Sequence, residues 1–314
     1  MNTHRTRLTT FDLSNLPTLD VAVLAALDLF NETPPTAIDI SHYSRPLVIG
    51  SGNAEVTGSI IFQGVDAVYA SESTFAEKLA TTPAIDGVVV VSASGEKDAP
   101  VIITTCRQAG LPITLLTTTA ASSATRALDA YENSTVHVFS KNREPYTYNT
   151  STYLGMILAS TGESAGDIEQ FIGSAVATSI PDLSHYNRFY LITPSRFAAI
   201  NRMLSIKFIE LFGRQVAYAI ETDQYVRHAT TVVPSDELFI SFGVPNTAWG
   251  NPDQRLHIPL PDNAGYGAMM AIGYYVIGQI QNSQPAYFAD NITDYIEQVN
   301  RLYGSTLQPI VEVN

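Results

Sequence analysis

The run Val88-Val-Val-Val91 passes directly into Ser92-Ala-Ser-Gly-Glu-Lys-Asp98, and this junction constrains the fold more than any other stretch. Four consecutive β-branched residues suit a strand covered on both faces and are too few for an amphipathic helix. The serines and glycine that end the run are turn formers. A helix-compatible segment, Asp98 to Ala109, begins at once. A buried strand that hands over to a helix leaves backbone N–H groups and two hydroxyls at its carboxyl end. Such a turn suits an anion, above all a phosphate.

The same rhythm repeats on both sides of the junction. Strands are predicted at 46–49, 66–69, 86–91, 112–116 and 135–139, alternating with helices at 53–63, 73–80, 98–109 and 122–130. After a helical stretch from Tyr153 to Thr178, with a break near Gly162, the alternation restarts. It runs through strands at 189–192, 216–220 and 237–242, helices at 195–212 and 223–227, and two C-terminal helices. Alternation of this length indicates parallel sheets flanked by helices, an α/β chain of two doubly wound, flavodoxin-like lobes. The expected division is an N-terminal helical segment over 1–36, a first lobe over 37–160 and a second over 161–314. Ligands of such sheets bind beyond the carboxyl ends of the strands. The turns at 50–53 and 92–95 fall on that one edge.

A net charge of −13 argues against nucleic acid and anionic membrane surfaces as partners. It leaves room for a small phosphorylated ligand, because main-chain amides bind anions without surface lysines. The single cysteine, Cys106, excludes an intramolecular disulfide and reads as a core thiol within its helix. No apolar run follows the arginines of Met1 to Thr10, so no secretory leader is read there. The Asn-x-Ser/Thr sequons at Asn31, Asn133, Asn149 and Asn291 therefore carry no glycosylation meaning, and a cytoplasmic location is expected. Ala264 to Ile280 is apolar but short for a membrane span and interrupted by glycines, so a buried helix or a subunit contact is expected.

Three further constellations stand out. Arg143 to Thr152 concentrates Glu144, Asn149, Thr150 and Ser151, a helix N-cap cluster or a pocket wall. Lys207 and Glu210 lie three apart, on one face of an otherwise apolar helix. His228 follows at a short interval. His4, His42, His137, His185 and His257 show no metal-ligand spacing, and Gly50-Ser-Gly-Asn-Ala-Glu lacks the third glycine of a dinucleotide fingerprint.

Together these segments resemble the sugar-isomerase (SIS) domain family. Val91-Ser-Ala-Ser-Gly-Glu-Lys resembles its S-x-S-G-x-T-x-E signature. Ala109-Gly-Leu-Pro-Ile-Thr-Leu-Leu-Thr117 with Ser122-Ser123 resembles its next strand and helix start, and Val48-Ile-Gly-Ser-Gly-Asn its first glycine turn. The resemblance implies a double-SIS protein that holds a sugar phosphate through Ser92, Ser94 and Gly95, with Ser51, Gly52, Asn53 and Lys97 beside them. Glu144, Asn149, Thr150 and Ser151 lie near its E-x-x-x-A-[ST]-T segment, which implies a pocket wall. Ser205-Ile-Lys-Phe-Ile-Glu-Leu211 is similar to its A-L-K-x-x-E-[IL] helix. Glu210 then stands as the base between C1 and C2 of the open-chain sugar, with Lys207 as its lysine. His228 stands where the family has a ring-opening histidine, often supplied by the partner subunit of a dimer. No metal or organic cofactor is implied.

Departures are equally specific. Lys97 replaces a threonine, Tyr225 a glutamate and Ala229-Thr230 a Gly-Pro pair. No lysine follows Lys207, so Arg255 or Arg301 is left to stand in for the family's C-terminal lysine. The expected activity is aldose–ketose isomerisation of a sugar 6-phosphate through an enediol. A deglycase or deaminase of a 6-phosphorylated amino sugar and a non-catalytic sensor are the alternatives.

Overall fold

The computed structural model describes residues 3–232 and 236–313. Met1, Asn2 and Asn314, at the two ends of the expected division, lie outside them. The chain opens with helices α1 (Thr3–Thr10) and α2 (Leu19–Glu32). Five strands follow, each led to the next by a helix: β1 (Pro46–Ile49), α3 (Asn53–Ile61), β2 (Val68–Ala70), α4 (Phe75–Thr81), β3 (Gly87–Val91), α5 (Ala99–Gln108), β4 (Ile113–Thr117), α6 (Ser123–Leu128) and β5 (Ser134–Val138). A two-residue strand β6 (Glu144–Pro145) precedes α7 (Thr150–Thr161), α8 (Ala165–Phe171) and α9 (Ala177–Ser179). The second series comprises β7 (Arg188–Thr193), α10 (Ile200–Phe212), β8 (Ala217–Thr222), α11 (Val226–Ala229), β9 (Leu238–Phe242) and β10 (Arg255–Ile258). Helices α12 (Tyr266–Asn282) and α13 (Tyr287–Tyr303) and strand β11 (Ile310–Val311) complete it.

Two compact units emerge. One gathers Met1–Thr33, Asn142–Ser151 and Glu163–Val313, and the other Pro34–Lys141 and Thr152–Gly162. In the second, five parallel strands run in the order β2-β1-β3-β4-β5. Every residue of β3 and β4 is buried, as the valine run requires of a strand covered on both faces. Leu47, Ile49, Val88, Val90, Ile103, Ile113 and Leu115 share one apolar cluster with Cys106. Burial pushes that thiol up to about 12, so it is an inert core side chain. Gly58 lets α3 lie on the sheet, for a Cβ there would sit 2.6 Å from Val48 Cγ1.

The other unit has a four-stranded parallel sheet, β10-β9-β7-β8. Helix α12 is buried along almost its whole length and packs against α2 and α10, so the apolar 264–280 segment is a core helix. Among the described residues no helix is long and apolar enough to cross a membrane. Glu163 caps α12, accepting from the amides of Gly265 at 2.7 Å, Gly267 at 2.6 Å and Ala268 at 3.0 Å. Gly278 allows α2 to approach so closely that a Cβ would run into the amide nitrogen of Asp20.

Some elements differ from expectation. The 153–178 stretch breaks at Gly162, φ +70°, as expected, and is interrupted further by a π-helical turn at Ile172–Val176. Strand β10 is additional to the expected strands: Arg-Leu-His-Ile is a short edge strand, buried at alternate positions only. Helix α1 falls within the expected helical segment, whereas β6 and β11, of two residues each, are too short to leave a pattern. The α2–α12 contact gives the first prediction. Gly278→Ala should lower unfolding free energy in urea by about 1–3 kcal/mol through overpacking; an unchanged midpoint would contradict the packing described.

Candidate functional site

In the five-stranded unit, chain order reverses at β1, which has β2 on one side and β3 on the other. The turns after β1 and β3 therefore flank a topological switch point, where ligands of open α/β sheets bind. Gly52 caps α3 with φ +57°, a left-handed conformation that favours glycine. Asn53, the first residue of α3, is 7% exposed, and its Oδ1 has no hydrogen-bond partner.

The β3 turn is tightly wound. The Ser92 amide donates to Leu116 O of β4 at 3.0 Å. Its hydroxyl oxygen accepts from the Gly95 amide at 3.2 Å, and that of Ser94 from the Glu96 amide at 3.3 Å. Gly95 has φ +65°, and a Cβ there would run into Ser122. Its carbonyl accepts from Ala124 N at 2.8 Å, tying the turn to α6. The Gly95 amide, expected to grip an anion, is thus engaged with Ser92; the two serine hydroxyl protons, exposed Lys97 and the Asn53 side chain are further donors at this edge.

Two carboxylates, unremarked in the sequence, already occupy this edge. Ser51 Oγ hydrogen-bonds Glu72, at the end of β2. The Glu96 carboxylate accepts from the Ser123 amide at 3.0 Å, and hydrogen bonds from Ser123 hold it below the ordinary carboxylate range. Ser51 is therefore spoken for within the chain. The signal for Glu72 was its place about twenty residues beyond the glycine turn, at a strand end.

The other expected residues lie in the unit with the four-stranded sheet. Glu144 is buried and accepts from Thr150 N at 2.7 Å, Ser151 N at 2.8 Å and Ser151 Oγ at 2.5 Å. It caps α7, so the capping reading of this cluster describes its hydrogen bonds. Burial pushes its carboxyl up, against the pull of those donors and of Lys207. Thr147 and Asn149 hold φ of +77° and +47°, left-handed values rare for such residues.

Lys207 has no exposed surface. Its Nζ donates to Glu210 Oε2 at 2.6 Å and to Thr147 O, and lies 5.5 Å from the ring centroid of Tyr274. The Glu210 side chain is 24% exposed. Desolvation raises its pKa, with Lys207 acting in the opposite sense. Glu210 opens onto a cleft of about 400 Å³, formed by the end of α10, Thr147 and one face of α13 with Tyr287, Asn291 and Tyr295. The sequence reading missed those α13 residues, although their four-residue spacing marks a single helix face.

His228 is not part of this cleft. It lies exposed on the four-residue helix α11, where its Nε2 accepts from Arg227 Nε at 3.1 Å. Arg255 does not replace a catalytic lysine, because its guanidinium donates to the carbonyls of Thr247, Ala248, Trp249 and Gly250. Those bonds use it to hold the loop before β10.

The sequence matches no family model and no curated protein. Solved structures do match. Glucosamine-6-phosphate deaminase from Thermotoga maritima superposes with TM-score 0.61 at 12% identity, over 87% of this chain and 95% of the other. The C-terminal domain of glucosamine-fructose-6-phosphate aminotransferase from Francisella tularensis gives 0.61 at 10%, over 87% and 98%. Tagatose-6-phosphate ketose/aldose isomerase from Escherichia coli gives 0.55 at 14%, over 85% and 89%. This is the double-SIS fold. The two parallel sheets match SIS-like lobes, the five-stranded one carrying the serine turn and the four-stranded one the Lys207–Glu210 helix.

A dianion at the serine turn would meet the carboxylates of Glu72 and Glu96. Glu72→Gln should therefore tighten binding of inorganic phosphate, by up to about 1 kcal/mol as for an exposed charge. Calorimetric titration checks this, and weaker or equal binding would contradict the assignment of the turn.

Proposed function

We propose that this chain is a phosphosugar isomerase, interconverting aldose and ketose forms of a sugar 6-phosphate through an enediol, as a cytoplasmic homodimer. The observation that carries this reading is Glu210: a carboxyl of raised pKa, held by a wholly buried lysine and open to a cleft. A base for a C–H proton must take it up and return it near neutral pH, and a raised carboxyl does this better than an ordinary one. Lys207 fixes which oxygen faces the reacting carbon and offsets the charge that develops when the proton leaves.

The hydroxyls of Ser92 and Ser94, with Lys97, Asn53 and the Gly52 and Gly95 turns, hold the phosphate in this reading. Glu144, Asn149, Thr150 and Ser151 form the wall. His228 opens the sugar ring and serves the Glu210 of a second copy, consistent with its exposed place outside the cleft of its own chain. That same exposure supports a second reading, a sugar-phosphate sensor without turnover. A deaminase or deglycase of a 6-phosphorylated amino sugar would use Glu210 in the same way.

Glu210→Gln separates these readings. It should cut turnover of the responsive hexose or hexosamine 6-phosphate by about 10²–10⁴, with affinity held within about tenfold, a span of 1.4 kcal/mol. Ser94→Ala should do the reverse, weakening binding by about 1.5–3 kcal/mol as loss of a hydrogen bond to a charged group does. Tight binding by the wild type without turnover of any such compound would establish the sensor instead.

A further inference from the structure

The five-stranded sheet ends in an unpaired edge. Strand β5 lies outermost in the order β2-β1-β3-β4-β5, and among the described residues no strand pairs with its far side. Its bonds to β4 fix which backbone groups face outward. Asn133 O accepts from the Ile113 amide at 3.0 Å, and the Phe139 amide donates to Thr117 O at 2.8 Å. Backbone groups along a strand point to alternate edges. The odd-numbered residues therefore serve β4, and Ser134, Val136 and Val138 present N–H and C=O outward. The side chains of Val136 and Val138 are 38% and 50% exposed.

Exposed edges are normally blunted by shortness, charge, proline or a bulge. The opposite edge of this sheet, β2, is three residues long. In the four-stranded sheet, edge strand β8 carries Glu221 and edge strand β10 carries Arg255. Strand β5 reads Ser-Thr-Val-His-Val, without proline, lysine or carboxylate, and its register to β4 runs unbroken from Ser134 to Val138. It is a template for another strand, and its flanks say which strand fits. Glu132 lies exposed just before β5, and half-buried Lys141 just beyond it. An antiparallel copy brings each acidic flank toward the other's basic one, and two chains of net charge −13 meet at an uncharged segment.

We propose that β5 is a self-association edge: a second copy of this chain adds its own β5 antiparallel about a two-fold axis at Val136, joining the two five-stranded sheets into one. Val136 then faces its counterpart, and Ser134 faces Val138 in both directions, each pair exchanging N–H···O bonds. The same patch is used on both copies, as a closed two-fold dimer requires. This contact is separate from the one that would bring His228 to a second copy, and it does not rest on the phosphosugar reading.

Cys106 is buried, so Val136→Cys and Val138→Cys each give the full chain one exposed thiol. Under mild oxidation Val136→Cys should form a disulfide-linked dimer, because residues opposite each other in such a pair have Cα atoms about 5.5 Å apart, within disulfide reach. Val138→Cys should link at least about tenfold more slowly, since its counterpart lies roughly 14 Å away along the strand. Light scattering gives a second readout. Val136→Lys, which sets like charges opposite each other, should halve the solution mass, and Val136→Thr should keep it. Equal linking of the two thiols would overturn the inference, as would a monomeric wild type at micromolar concentration. An unchanged mass in folded Val136→Lys would overturn it too, by placing any second copy elsewhere. If Val136→Lys does not fold, the two cysteine variants decide.

Discussion

A lysine ammonium without solvent contact is the constraint around which this cleft is arranged. Taking such a charge out of water costs several kcal/mol even after relaxation, and the structure answers with three partners. Glu210 supplies the counter-charge, the carbonyl of Thr147 a hydrogen bond and Tyr274 the face of a ring. Each partner is positioned in return. The Thr147 carbonyl is presented by a loop in which Thr147 and Asn149 are left-handed, and strain of that kind persists only where surroundings over-determine it. Lys207 holds the loop at one point. Glu144, bonded to the amides of Thr150 and Ser151, holds it at the next. Glu210 is therefore placed by the same interactions that keep the loop in shape.

The serine turn follows a different logic. Its donors are mostly neutral hydroxyls, and the carboxylates of Glu72 and Glu96 already satisfy Ser51 and Ser123. An anion entering there displaces or skirts a negative charge, with Lys97 as the nearby cation in the turn. Under the phosphate-binding reading, such a turn would discriminate by geometry and hydrogen bonding more than by field, in keeping with the strongly acidic composition of the whole chain.

Much of this was legible in the residues. The valine run fixed a doubly covered strand, the alternation fixed two parallel sheets, and the glycine-serine turns marked one sheet edge. Lys207 and Glu210 stood out because two charges interrupted an apolar helix face. What escaped has physical reasons. Local pattern does not show that Glu144 spends its lone pairs on capping α7, or that Arg255 spends its donors on four carbonyls, because both depend on where a loop returns. It also cannot place the α13 face opposite Glu210, for those residues are more than seventy positions away and meet it only through packing. His228, ordinary in sequence, remained an exposed side chain on a single helical turn.

The buried pair and the chemistry proposed for it depend on the state of Glu210. Its carboxyl can be titrated directly by carbon-13 NMR, in the wild type and in Lys207→Met. The wild-type group should titrate above 4.5, the ordinary value for a glutamate, and removal of the lysine should move it further up, because the ammonium is the main influence holding it down. A carboxyl that titrates at the ordinary value and does not respond to the loss of Lys207 would contradict the buried pair and the chemistry assigned to it.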